Sequence, residues 1–183
     1  GPVFYTHSLA QKTSFIHWLH EYEKEIAKVA ESTSKHLTYR SMSVQSSGLH
    51  VFVRFAFDTD QAMGMNMVTI ATQQIVEYIS TNTHVICLAV AGNYDVDKKP
   101  SWMNMICGRG QQAWAECTLS ANVLSTILKT DAQQLYNVWI AKCMLGSAMS
   151  GSMGYNAHFA NIVAAMFAAT GQDLAHVVEG SMG

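Results

Sequence analysis

Leu49, Val51, Val53, Phe55 and Phe57 alternate with His50, Phe52, Arg54 and Ala56. This period of two predicts a strand. The strand-like residues 37–44 precede it, with a turn at Gln45-Ser46-Ser47-Gly48 between them. Residues 3–5 form a short strand. Across residues 11–30, Phe15, Leu19, Tyr22, Ile26 and Val29 recur at helical spacing, with Glu and Lys on the far side. Residues 62–80 predict a second helix, with Val68, Ile75 and Ile79 on one face. The unbroken apolar run from Val85 to Ala91 is a buried strand. The resulting order, β-α-β-β-α-β, is the ferredoxin-like arrangement.

The second half has a different pattern. Residues 112–119 are strand-like. Ser120 and Thr130 are placed as helix N-caps, the second with Gln133 completing a capping box. A helix over residues 131–145 follows. The small residues of 146–154 cannot pack large side chains, so another group must approach their backbone. Asn156 then caps a helix that runs to Thr170 and ends at Gly171. Its apolar stripe is Phe159, Ile162, Val163, Met166 and Phe167, while His158 and Asn161 lie largely on another face. The class is α+β, divided at 1–91 and 92–183.

Charged residues make up 13% of the chain, about half the usual ~25%. Formal net charge is −2, which argues against nucleic acid or an anionic membrane as partner. So little charge points to surface buried against another chain. Cys87, Cys107, Cys117 and Cys143 form no CxxC pair, a pattern of reduced, buried thiols in a cytosolic protein. No apolar run reaches the roughly 18 residues that would span a bilayer.

Against that background, Asp97, Lys98 and Lys99 stand out. They follow the apolar run and precede Pro100, which excludes a continuing helix. They therefore sit on a rigid turn at a strand end, a common place for chemistry, although a solvated turn gives the same pattern. Met63-Gly64-Met65-Asn66-Met67 opens a helix. It is either a methionine-rich core edge or a place where Gly64 lets a ligand approach the positive helix end. Ser34-Lys35 follows the first helix and gains meaning only if it lies beside that methionine segment. His158 and Asn161 share one helical face. No second histidine or carboxylate sits at ligand spacing from His158, so no metal is expected there. Asp173 becomes interesting only if it reaches Lys98.

Taken together, these segments resemble the catalytic domain of 3-hydroxy-3-methylglutaryl-CoA (HMG-CoA) reductases of the class shared by archaea and eukaryotes. The matching pieces are Ala62-Met63-Gly64-Met65-Asn66-Met67, Gly92-Asn93-Tyr94, Asp97-Lys98-Lys99-Pro100, Gly108-Arg109-Gly110 and Leu145-Gly146-Ser147-Ala148. Asn156-Ala157-His158, Ala160-Asn161, Gly171-Gln172-Asp173 and Glu179-Gly180-Ser181 complete the set, in order, over residues 1–183.

The resemblance implies NADPH-dependent reduction of HMG-CoA to mevalonate, an early step of isoprenoid and sterol synthesis. It makes Lys98 the catalytic lysine at the thioester oxyanion and Asp173 the aspartate that tunes it. Asn93, Asp97, Lys99, Lys142, His158 and Asn161 fall at acyl-substrate positions. Ser34 and Lys35 fall at the NADP 2′-phosphate, and Met63, Gly64, Met65, Asn66 and Met67 at the nicotinamide side. Residues 1–91 correspond to a ferredoxin-like NADP(H)-binding domain inserted in a mainly helical large domain, partly present as 92–183. A homodimer or higher homo-oligomer with shared active sites is implied. So is a cytoplasmic location, or a cytosol-facing one behind an upstream anchor, with no membrane contact by this segment. The family's catalytic glutamate falls upstream of Gly1 and its catalytic histidine downstream of Gly183, so these residues alone are expected to be inactive. Gln61, Ala91, Asp95-Val96, Gln111 and His176 depart from the family pattern. They leave open a diverged, non-catalytic NADP- or CoA-binding or dimerisation module.

Overall fold

The computed structural model describes all residues, 1–183, as two compact units, residues 1–95 and 96–183. No helix is long and apolar enough to cross a membrane.

The first unit is built on four antiparallel strands: β1 (Val3–Tyr5), β2 (Thr38–Ser47), β3 (His50–Asp58) and β4 (Ile86–Ala89). Their order in the sheet is β2-β3-β1-β4. Val44 faces Val53 across the hairpin, and Phe4 faces Val51 on one side and Cys87 on the other. The alternating apolar positions Val51, Val53 and Phe55 turn inward as the period of two requires. The expected turn at residues 45–48 is displaced. The ladder continues to Ser47 opposite His50, and Gly48 and Leu49 alone reverse the chain. Gly48 takes φ +56°, which a Cβ would strain.

Three helices cover the sheet: α1 (Leu9–Glu21), α2 (Glu23–Glu31) and α3 (Met65–Thr83). The single helix expected over 11–30 is thus two. Ser8 caps α1 by accepting the Gln11 N–H at 3.1 Å, so that helix also starts earlier. The chain leaves helical geometry at Tyr22 (φ −99°, ψ 18°). There the Tyr22 ring stacks on Trp18, and Tyr39 donates its hydroxyl to Glu23 at 2.7 Å. These contacts draw their partners from a distant strand and a previous turn, so helical periodicity does not report them. Phe4, Leu19, Ile26, Ile75 and Ile79 are wholly buried in one core.

The second unit is assembled from short helices: α4 (Trp102–Cys107), α5 (Ala121–Thr126), α6 (Ala132–Val138), α7 (Ser147–Ser150), α8 (Phe159–Thr170) and α9 (Val177–Gly180). A π-helical segment, Trp139–Gly146, joins α6 to α7, and a 3₁₀ turn, Leu174–His176, precedes α9. Residues 112–119 form no strand, contrary to the sequence pattern; Trp114 there is 94% exposed. Its apolar residues have no partner strand to complete a ladder. Asp131, not Thr130, caps α6, because its carboxylate accepts both the backbone and side-chain N–H of Gln134. Ser120 caps α5, and Gly171 ends α8 at φ +71°, as expected. The cysteines are all free, but Cys107 and Cys117 are exposed rather than buried.

Ile75→Ala should destabilise the first unit by roughly 2–5 kcal/mol, because it removes wholly buried methyl groups and leaves a cavity. Ile70→Ala, on the exposed side of the same helix, should change stability by less than about 0.5 kcal/mol. Urea unfolding of the two variants measures the contrast.

Candidate active site

The turn that follows β4 contains three non-glycine residues with left-handed backbones: Asn93 (φ +64°), Val96 (φ +54°) and Lys98 (φ +57°). For an L-residue this costs roughly 1–2 kcal/mol each, and a β-branched valine is an extreme case. Such geometry persists only where surrounding contacts impose it.

In the second unit those contacts come from side chains. Asn104 of α4, itself buried, donates its amide to the Val96 carbonyl at 3.2 Å. Arg109 holds the Asp97 carboxylate through Nη2 at 2.7 Å. The Lys98 backbone N–H donates to Glu179 Oε2 at 2.8 Å. The Lys98 ammonium turns to Asp173, with Nζ 2.7 Å from Oδ2. Asp173 is fixed in turn by accepting the Ala175 N–H at 2.9 Å, which starts the 3₁₀ turn. His176 contacts Glu179 through Nδ1, and its Nε2 lies 3.8 Å from Asp173.

Each partner fixes the protonation state of the other. Asp173 holds the Lys98 ammonium above its ordinary 10.5, first by the direct hydrogen bond and then by charge. Lys98 holds the Asp173 carboxyl below its ordinary 3.8, again first by the hydrogen bond, with the Ala175 N–H adding to it. Both side chains are about two-fifths exposed, so solvent screens the pair. Over the neutral range Lys98 is therefore a cation and donor, not a base or nucleophile.

Asp97, His176 and Glu179 also offer ligand atoms within 4.8 Å of one another. The Arg109 guanidinium already engages two of these carboxylates, with Nε 3.2 Å from Glu179 and Nη2 2.7 Å from Asp97. A metal ion would compete with it for both.

Lys99 belongs to the same turn. It folds its ammonium back to the Asp97 carbonyl at 3.2 Å. His158 and Asn161 hydrogen-bond to each other at 3.0 Å at the start of α8, just beyond Asn156, whose Oδ1 accepts the Phe159 N–H. Lys142 is exposed on the π-helical segment. No hydrogen bond or ion pair joins Lys142, His158 or Asn161 to the Lys98 cluster. In the first unit, Gly64 is the N-cap of α3 at φ +84°. Its missing Cβ leaves room for Thr59, which would otherwise be met at 2.4 Å. The Ser34–Lys35 turn is tied to the loop before α3, because His36 Nδ1 meets Asp60 Oδ2 at 3.2 Å. Ser34 Oγ accepts the His36 N–H, and Lys35 is exposed. Met63 is exposed, while Met67 packs against the core.

Arg109 and Glu179 entered the sequence reading only as members of the motifs Gly108-Arg109-Gly110 and Glu179-Gly180-Ser181, with no role assigned, although both touch the turn. A signal existed. Asp173 and Glu179 are the only acidic or basic residues, histidines aside, in the stretch 146–183, and Arg109 is the only arginine after Arg54. Isolated charges in an apolar stretch seek a partner.

The Lys98–Asp173 link sets a pH window. Asp173 contributes stability above its unfolded value near 3.8, and this is lost as pH falls through the lower folded value. Lys98 contributes below its unfolded value near 10.5, and this is lost as pH rises through the higher folded value. The pair is therefore complete across neutral pH. Asp173→Asn should move the Lys98 ammonium titration down toward 10.5 and should leave neighbouring lysines unchanged. Nitrogen-15 NMR of the lysine side chains reads this directly.

Comparison with known proteins places the sequence in a family. The hydroxymethylglutaryl-coenzyme A reductase family profile matches residues 1–183. The 3-hydroxy-3-methylglutaryl-coenzyme A reductase of Methanothermobacter thermautotrophicus is 42% identical over all of this chain and 46% of its own length. That of Methanocaldococcus jannaschii is 44% identical over all of this chain and 47% of its own length. That of Schistosoma mansoni is 42% identical over 99% of this chain and 20% of its own length. The chain thus spans less than half the length of these relatives. A match over every residue, with the Asp97-Lys98-Lys99 turn inside it, shows that the chain belongs to the hydroxymethylglutaryl-coenzyme A reductase family.

Proposed function

We propose that this chain forms part of an enzyme that reduces HMG-CoA to mevalonate and CoA with NADPH. The observation that carries the reading is the Lys98–Asp173 pair. Reduction of a thioester places negative charge on the carbonyl oxygen, and a fixed ammonium at that oxygen lowers the barrier. Asp173 occupies one of the ammonium's three donors and keeps the group charged. Two donors are left for a substrate oxygen. Asn93, Asp97, Lys99, Lys142, His158 and Asn161 are assigned to the acyl substrate on the strength of the family motifs.

Residues 1–91 are assigned the cofactor. Ser34 offers a hydroxyl, and Lys35 offers an exposed cation that has no ion pair of its own. The Asp58 carboxylate already faces Arg40, and Asp60 meets the His36 ring. Ser34 and Lys35 fit a 2′-phosphate. Met63, Gly64, Met65, Asn66 and Met67 take the nicotinamide side. When bound, NADPH supplies the hydrides. The strand order β2-β3-β1-β4 with crossover helices supports a ferredoxin-like small domain inserted in the larger one. A homo-oligomer is proposed from the exposed apolar face of α8, with Ile162 and Met166 each 61% exposed. The free cysteines support a cytosolic setting.

The test is a chimera in which residues 1–183 replace the matching segment of the Methanothermobacter reductase. HMG-CoA-dependent NADPH oxidation is expected. Lys98→Met in that chimera should lower kcat by roughly 10²–10³-fold, the scale of one oxyanion donor. Retained kcat would reduce Lys98 to a turn residue. A chimera that binds NADPH but never turns over would instead support the diverged binding module that Gln61 and Ala91 suggest.

Cofactor choice gives a second test. Lysine is a point charge without arginine's planar fork. Lys35→Glu should therefore weaken NADPH binding to the 183-residue chain much more than NADH binding, and added salt should shrink the difference. Equal losses for both cofactors, by calorimetry, would assign Lys35 to the fold.

A further inference from the structure

We propose that Glu179 is a positioning residue: by taking the Lys98 backbone N–H it holds the left-handed turn that aims the Lys98 ammonium at Asp173. The functional value of that aim rests on the reductase reading above, but the positioning itself does not.

Three observations carry it. First, one residue is gripped at both ends by one short segment. Glu179 Oε2 takes the backbone N–H of Lys98 at 2.8 Å, and Asp173, six positions earlier, takes its ammonium at 2.7 Å. With both ends fixed, the side chain has little freedom in direction. Second, Glu179 is itself held rigidly. Its side chain is 7% exposed, and its other oxygen is occupied by Arg109 Nε at 3.2 Å and by His176 Nδ1. A carboxylate held this way transmits position, as a solvated one would not. Third, Lys98 needs such a hold. Its backbone lies at φ +57°, two residues after Val96 at φ +54°, and neither residue is a glycine. Without an acceptor for that N–H, the turn would relax towards ordinary geometry and carry the ammonium off Asp173.

Direct charge makes the opposite prediction, which separates the two explanations. Taking a negative charge away from the neighbourhood of Asp173 would, by charge alone, make its carboxyl more acidic. Losing the aim of Lys98 makes it less acidic. The groups that face Asp173 are Lys98 and His176, and both remain in the variants below.

The experiment is carbon-13 NMR titration of the Asp173 carboxyl in the 183-residue chain. In Glu179→Ala the midpoint should rise from its depressed position towards the ordinary 3.8. Exchange of the Lys98 amide proton should also accelerate. Glu179→Gln keeps one oxygen for the Lys98 N–H, although its amide nitrogen replaces the oxygen that takes Arg109 and His176, so it should hold the Asp173 midpoint below that of Glu179→Ala. A midpoint that stays put or falls in Glu179→Ala overturns the proposal, and so does a Gln variant that behaves like Ala. If Glu179→Ala does not fold, the unaltered chain decides. The Lys98 amide proton shift should then follow the titration of the Glu179 carboxyl, and a shift that ignores it overturns the proposal. No substrate or cofactor enters this measurement, so its failure is distinct from failure of the chimera.

Discussion

The hold on residues 96–98 is the constraint from which the rest of the second unit follows. Three consecutive residues are each fixed by a different side chain: Val96 by Asn104, Asp97 by Arg109, and Lys98 by both Glu179 and Asp173. These partners come from α4, from the loop after it, and from the segment that closes the chain. Holding a backbone in left-handed geometry costs free energy locally, and here polar contacts offset it. Apolar burial could not, because the second unit buries very few side chains, Leu124, Cys143 and Asn104 among them. The same economy recurs at its helix ends. Ser101, Ser120, Asp131, Asn156 and Asp173 each accept a backbone N–H that a short helix would leave unsatisfied.

The first unit is organised by the other major force. Its sheet and three helices enclose Phe4, Leu19, Ile26, Val51, Ile75 and Ile79 with no exposure. That difference decides what could be seen in the sequence. Burial against a sheet writes a period of two, and burial of a helix face writes a period near 3.6. β2, β3 and the helical regions of residues 1–91 were legible in this way. The run from Val85 to Ala91 does carry β4, but it is not the buried strand expected, since Ile86 and Leu88 are 46% and 54% exposed. The break at Tyr22 was not legible, since Phe15, Leu19 and Ile26 keep helical spacing straight through it. The hairpin turn was misplaced because Ser and Gln suit both a turn and an exposed strand. Only the ladder to Ser47 distinguishes them.

In the second unit the sequence signal is chemical rather than periodic. The Asp97-Lys98-Lys99-Pro100 run is local, so it could be found by inspection. Its partner Asp173 could be reached only through the family motif. Glu179 lay in a matched motif too, but its contact with Lys98 was missed, because 81 positions separate the two and no spacing rule spans that distance. Residues 112–119 failed for the converse reason. Their composition suits a strand, but strand propensity reflects a sheet to join, and residues 108–120 join none.

The charge balance at the turn bears on the oxyanion role proposed for Lys98. Asp97, Asp173 and Glu179 bring three negative charges, and Lys98 and Arg109 bring two positive ones. Three carboxylates against two cations favour keeping every proton on Lys98. Arg109 cannot give up its proton in a protein, so it cannot compete as an acid. The ammonium is thus the one cation in the cluster that is about two-fifths exposed and directed by a single carboxylate. A buried lysine would tend to neutralise, and a fully solvated one would lose its direction. The acidic surroundings supply the charge that burial would otherwise remove, while the backbone hydrogen bond to Glu179 supplies the direction.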